Sequence, residues 1–232
     1  MSKKTSKAIS TLLILTLMMI LMAACTEDKE LNSDAETLIA QIEDVSPSDW
    51  FYRYVVAGFR YGLITADEIE NLRFEPERDV TQGEFITMLG RLHEYGHGAI
   101  GMPDDGPVYE RYVEWALERG IIHRYRYWEL MPRAPITREQ KAVIVHRYIE
   151  AYDFWDYLLH DQMLTMAYFW DADEMSYWAQ GPVERLRLRL LVFGGYRQYF
   201  KPHIPANRAV AIAILSGVGS AVYDLVHPLR RY

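Results

Sequence analysis

The pentad His93-Glu94-Tyr95-Gly96-His97 places two imidazoles one helical turn apart around a carboxylate. In the HExxH spacing the two histidines hold a zinc ion and the glutamate activates water. Glu114 and Glu118 stand downstream as further candidate ligands. Against that reading, Gly96 and Gly98 weaken the helix that has to align the rings, and Arg91 puts a cation in the preceding turn. A second chemistry is anion binding. Arg138 and Arg208 each follow a polar residue, Thr137 or Asn207, that opens a helix. The dipole disfavours a cation there by about 0.3–1 kcal/mol, whereas a bound anion would meet both a guanidinium and the backbone amides of the first turn. No serine or cysteine nucleophile, glycine-rich phosphate loop or catalytic carboxylate pair stands out. Binding without catalysis is the expectation, with no cofactor.

The elements that must position these residues recur along the chain. An apolar residue, any residue and a proline are followed five positions later by a small polar residue. The three copies are Phe74-Glu75-Pro76 with Thr81, Leu130-Met131-Pro132 with Thr137, and Phe200-Lys201-Pro202 with Asn207, at intervals of 56 and 70 residues. Apolar positions recur after each opener: Ile86, Met88 and Leu89, then Ala142, Ile144 and Val145, then Ile212, Ile214 and Leu215. Thr81 with Glu84, and Thr137 with Gln140, are capping boxes that satisfy orphan amides at a helix start. Asn207 is able to cap, but Val210 is unable to return the bond. A first helix precedes each opener. Ser46-Pro47-Ser48-Asp49 reads as a cap with proline at the first helical position, followed by Phe51, Tyr54, Val55 and Gly58 on one face and a stop at Gly62. Tyr112, Val113, Trp115 and Ala116 lead to Gly120, and residues 178–193 lead to Gly194-Gly195. There Arg185 to Leu190 alternates like a strand, yet Val183, Leu186, Leu190 and Phe193 share a helical face, and the helix is preferred.

Lys3, Lys4 and Lys7, an apolar stretch and the pair Ala23-Ala24 ahead of Cys25 read as an export signal over residues 1–24. Cys25 is the sole cysteine, so no intramolecular disulfide forms. Without residues 1–24 the chain carries 22 basic and 32 acidic residues, which gives no electrostatic footprint for nucleic acid. Any hold on an anionic polymer has to come from local, shaped sites. Residues 25–43 read as a polar tether with a short helix over Ala35 to Glu43.

Two resemblances follow from these residues. Leu21-Met22-Ala23-Ala24-Cys25 resembles the lipobox of bacterial lipoproteins, which implies acylation at Cys25 and anchoring to the cell membrane. Asp44-Val45, Trp50, Gly62-Leu63-Ile64, Phe74-Glu75-Pro76 and Val80-Thr81-Gln82-Gly83-Glu84-Phe85 resemble the S-layer homology domain. So do Gly120-Ile121-Ile122 with Ile136-Thr137-Arg138-Glu139-Gln140, and Asp171, Trp178 and Phe200-Lys201-Pro202 with Asn207-Arg208-Ala209. The resemblance implies a mainly α fold, three helix-loop-helix repeats (44–100, 101–166 with an insertion, and 167–220) in a pseudo-threefold bundle, and a tail over 221–232. It also implies binding of cell-wall polysaccharide, a pyruvylated secondary polymer or modified peptidoglycan, in an extracytoplasmic, wall-associated location. The implied glycan-binding residues are Asp44, Trp50, Thr137, Arg138, Asp171, Trp178 and Arg208. Read from the residues alone, the tryptophans suit stacking on a sugar or packing at a rim, and the aspartates suit sugar hydroxyls or local turns. Gln82 stands where the family has arginine, so two grooves at most are expected to be competent. Two other readings are an envelope scaffold that packs against another protein, and zinc hydrolysis through His93 and His97.

Overall fold

The computed structural model describes residues 35–101, 107–123, 131–158, 169–189 and 199–226. The leader, Cys25, most of the tether, Leu130, the segment 190–195 and the tail from 227 lie outside the described residues. Residues 35–39 are helical, and six longer helices follow: α1 (Tyr52–Arg60), α2 (Gln82–His97), α3 (Val108–Glu118), α4 (Arg138–Ala151), α5 (Tyr177–Leu188) and α6 (Arg208–Val226). Single three-ten turns sit at Ala66–Glu68, Glu70–Leu72, Trp155–Tyr157 and Ala172–Glu174. The fold is mainly α, as the apolar periodicity predicts. No helix among the described residues is long and apolar enough to cross a membrane.

The three opener helices begin where the sequence places them. Thr81 and Thr137 close reciprocal capping boxes with Glu84 and Gln140. Asn207 Oδ1 accepts from Val210 N–H at 3.0 Å without a return bond. Their preceding helices end as expected at Gly62 and Gly120, both with positive φ, 66° and 68°, a conformation that costs glycine little. Phe51, Val55 and Gly58 face the core, as do Tyr112, Trp115 and Ala116. Helix α5 runs through Arg185, with Val183 and Leu186 buried, so the described part of the alternating run is helical as far as Leu188. The start of α1 differs from expectation. Ser46 to Asp49 closes a separate turn, with Asp49 N–H donating to Ser46 O at 2.9 Å and Ser46 N–H to Asp49 Oδ2 at 2.7 Å. The helix proper begins at Tyr52. The Asp49 side chain bonds back to Ser46 and so competes with helical bonding at that point.

The openers meet at a hub held by backbone hydrogen bonds in cyclic order. Val80 N–H donates to Ala206 O (3.0 Å), Ala206 N–H to Ile136 O (2.8 Å), and Ile136 N–H to Val80 O (2.9 Å). One step further out, Gln82 N–H reaches Ala134 O, Arg138 N–H reaches Ile204 O and Arg208 N–H reaches Arg78 O. A third set joins Gly83 to Pro132, Glu139 to Pro202 and Ala209 to Pro76. Helix packing follows the same order: α2 lies on α3, α4 on α5 and α6 on α1, with α2 also against α6. Val80, Ile136 and Ala206 are fully enclosed, and Phe85, Ile144 and Leu215 extend the core outward from the hub.

Candidate ligand cleft

The hub changes what the helix openings offer. The sequence suggests free first-turn amides for an anion beside Arg138 and Arg208. In the structure those amides are occupied. Arg138 N–H and Glu139 N–H donate to Ile204 and Pro202, Gln140 N–H donates to Thr137 Oγ1, and Arg208 N–H and Ala209 N–H donate to Arg78 and Pro76. Thr137 is likewise committed to its capping box. The helix-terminus part of the anion argument is therefore corrected: interlocking of the openers consumes the donors.

Each guanidinium instead reaches across to another opener's loop. Arg138 Nε donates to Phe200 O at 2.6 Å with its guanidinium 5.1 Å from that ring's centroid. Arg208 Nη1 donates to Phe74 O at 2.9 Å, 5.0 Å from the Phe74 ring. The aspartates hold the same residues from the other side. Asp171 accepts from Phe200 N–H and Lys201 N–H at 2.8 and 2.6 Å, and Asp44 accepts from Phe74 N–H and Glu75 N–H at 2.7 and 2.9 Å. Glu75 and Lys201 both have left-handed backbones, with φ near 55°, so the carboxylates stabilise a turn that side chains disfavour. Gln82, at the third opener position, accepts from Met131 N–H at 2.8 Å.

The tryptophans part company. Trp50 is 58% exposed, edge-on to Phe51 and Tyr54. Trp178 is partly buried against the core, and its neighbour Tyr177 is 91% exposed. Tyr177 lies six residues after Asp171, as Trp50 lies six after Asp44, so tyrosine and not Trp178 holds the equivalent register.

A cleft of about 700 Å³ opens beside Arg208, between the first Phe-x-Pro loop, α2 and the start of α3. Its walls carry Arg73, Arg78 and Arg91 with Glu68, Glu70, Glu75 and Glu84, and Tyr109 closes one side. Arg91 Nη1 bonds both oxygens of Glu68 (2.8 and 2.9 Å), and Arg78 pairs with Glu84 at 2.9 Å. Arg208 has no such match. It is 5% exposed, makes no carboxylate contact among the described residues, and its Nε is buried with no hydrogen-bond partner. Burial, then Arg78, pull its pKa below the usual arginine value, while Glu68, Glu84 and Glu75 oppose the shift. Arg138 is lowered too, chiefly by burial, with Asp171 opposing. A buried cation lacking a full set of acceptors is suited to an anionic ligand group. Of the seven glycan-binding residues expected from the sequence, Arg208 alone lines this cleft. Arg73, Arg78 and Arg91 were missed because their convergence depends on the path of the 66–78 loop, although two arginines, Arg73 and Arg78, visibly flank one Phe-x-Pro motif.

The His93 and His97 rings stack on each other, with centroids 4.6 Å apart and planes at 24°. His93 also packs on Trp115 and Tyr152. Glu94 turns away, pairing with Arg111 and accepting from Tyr112 Oη (2.8 Å) and Ile100 N–H (3.2 Å). Among the described residues no three His, Cys, Asp or Glu side chains are placed to hold a metal ion. The pentad builds a helix-to-helix contact here.

No family model matches the chain. It is similar to an amylopullulanase from Thermoanaerobacterium thermosulfurigenes, 26% identical over 200 residues that cover 84% of this chain and 10% of that protein. It is also similar to the exoglucanase XynX from Acetivibrio thermocellus, 27% identical over 150 residues that cover 63% of this chain and 13% of that protein. The chain spans about a tenth of the length of each relative.

Proposed function

We propose that this chain is a non-catalytic binding module of the cell envelope that grips an anionic cell-wall polysaccharide, in the manner the S-layer homology resemblance implies. The observation that carries the reading is Arg208: a buried guanidinium, unmatched by contact carboxylates among the described residues, on the wall of a cleft large enough for a sugar unit. A ketal carboxylate of a pyruvylated residue has the charge and the planar fork that a guanidinium prefers. The cyclic hub supports an arrangement of three units about a common axis, with the arginine of one opener serving the loop of another. Similarity to about a tenth of each of two large enzymes, an amylopullulanase and an exoglucanase, suits a module that accompanies catalytic domains. On this reading Cys25 carries the lipid and the chain links membrane to wall.

Co-sedimentation of the purified chain with cell-wall sacculi tests it, before and after chemical removal of pyruvate ketals. Retention on untreated wall only is expected. Arg208→Gln, which keeps a side-chain donor next to Phe74 O, is expected to abolish retention with an unchanged melting temperature. Equal retention on both walls, or unaltered retention by this variant, overturns the reading. Metabolic labelling with a radiolabelled fatty acid tests the anchor, and no label on the wild-type chain that is lost in Cys25→Ala removes it.

A further inference from the structure

Exposed apolar side chains that stand singly need no explanation. Trp170 and Tyr199 do not stand singly. They are 63% and 38% exposed, and their rings meet edge to face at 5.7 Å and 73°. They come from segments almost thirty residues apart, and the backbone fixes them together. Asp171, next to Trp170, holds Phe200 and Lys201, and Phe169 packs on the Phe200 ring at 5.2 Å. Each exposed ring is thus the chain neighbour of a buried, bonded residue, so the corner is set before any ligand arrives.

The clamp itself does not require aromatic rings. In the corresponding clamp of Asp44 on Phe74 and Glu75, the flanking residues are Glu43 and Arg73. Arg73 lines the cleft beside Arg208. Tyr199 holds the corresponding place beside Phe200, whose carbonyl Arg138 bonds. At the two loops the same scaffold therefore presents opposite chemistry, charged in one and aromatic in the other.

We propose that Trp170 and Tyr199 form a stacking platform for the C–H face of a neutral pyranose in a β-linked glycan. This rests on the wall-binding reading and adds a second subsite of different selectivity. A pyranose with equatorial hydroxyls carries only polarised C–H groups on its faces, which meet the electron-rich face of an indole. The perpendicular tyrosine ring stands against the edge of such a sugar, and its hydroxyl is the polar handle.

Calorimetric titration of the full chain with chitohexaose and with cellohexaose tests the platform. Saturable binding of at least one hexaose is expected, with about a tenfold weaker association constant in Trp170→Ala and a comparable loss in Tyr199→Ala. Both substituted side chains are exposed, so the fold is retained, and circular dichroism checks it. No binding of either hexaose at millimolar concentration, or undiminished binding by Trp170→Ala, overturns the proposal. It is equally overturned if Trp170→Ala removes binding to phosphatidylglycerol–phosphatidylcholine vesicles and leaves hexaose binding intact. If Trp170→Ala changes nothing while Arg208→Gln still abolishes sacculus retention, the platform falls and the cleft reading stands.

Discussion

Arg208 and Phe74 form a two-sided contact: the guanidinium donates to the Phe74 carbonyl at 2.9 Å and lies over the ring of the same residue. Asp44 takes the Phe74 N–H, so one residue of the loop is held at its donor, its acceptor and its side chain by partners from both ends of the described chain. Phe200 is held in the same way by Asp171 and Arg138. The arginines and aspartates expected to touch a ligand thus build the loops first, and Arg208 Nε lies buried without a hydrogen-bond partner.

Of these two clamps, that of Asp171 is the more enclosed. Asp171 is 2% exposed and its bond to Phe200 is buried, whereas Asp44 reaches Glu75 in an exposed position. Removal of a carboxylate leaves two backbone donors unmet, and the cost grows with their isolation from water. Asp171→Ala is expected to lower stability by about 3 kcal/mol and Asp44→Ala by about 1–2 kcal/mol, as read from urea unfolding midpoints. Equal losses would show that burial does not set the difference.

Local chemistry was legible in the sequence, and interlocking was not. The Thr81–Glu84 and Thr137–Gln140 boxes, the Gly62 and Gly120 stops and the buried faces of α1 and α3 depend on residues within a turn or two, so spacing reveals them. Occupation of the Arg138 and Arg208 amides by Ile204 and Arg78 depends on partners 66 and 130 residues away, and nothing in either opener announces it. The cleft was hidden for the same reason, since Arg78 and Arg91 converge with Arg208 only after the third opener closes on the first. Tyr177 escaped notice because its exposure is set by how α5 rotates on α4.

Lys141 is the least expected core residue. It is 2% exposed at the opener position where the other two copies have Phe85 and Ala211, and its Nζ donates to Val210 O at 3.2 Å. Burial, and then Arg138, hold its pKa well below the usual lysine value. A depressed lysine binds fewer protons folded than unfolded between its folded and unfolded pKa values. Its cost is therefore full below that window and fades as pH rises through it. Lys141→Met is expected to raise stability at neutral pH by at least about 1 kcal/mol and to flatten the alkaline rise in melting temperature. A less stable variant would show that the Val210 bond outweighs desolvation.

Gly90 marks a close approach of two helices. A Cβ there would drive into the Tyr112 ring, where α2 meets α3. Alanine is favoured over glycine in a helix by about 1 kcal/mol, but overpacking costs about 1–3 kcal/mol. Gly90→Ala is expected to lower the melting temperature. Tyr112 Oη donates to Glu94, so displacement of that ring also disturbs the Glu94–Arg111 pair. A stabilised Gly90→Ala variant would place the α2–α3 approach further apart than it is here.

The stacked His93 and His97 are expected to make folding acid-sensitive. His93 has its pKa lowered to about 4, first by burial and then by His97 and Arg119. His97, in the last turn of α2, is lowered by burial as well, against a helix dipole that favours the cation. A histidine with a depressed folded pKa is neutral in both states above its unfolded value. Stability is then unaffected above about pH 6.5, falls as pH drops from there toward 4, and loses nothing further to this group below that. For His93 the integrated loss is about 3 kcal/mol. His93→Phe keeps a flat ring against Trp115 and Tyr152 and cannot accept a proton. It is expected to remove most of the decline in chemical-denaturation stability between pH 6.5 and 4 while leaving stability at pH 7.5 nearly unchanged. An identical slope in the variant would assign the acid sensitivity to other groups, with His97 the first to examine through His97→Phe.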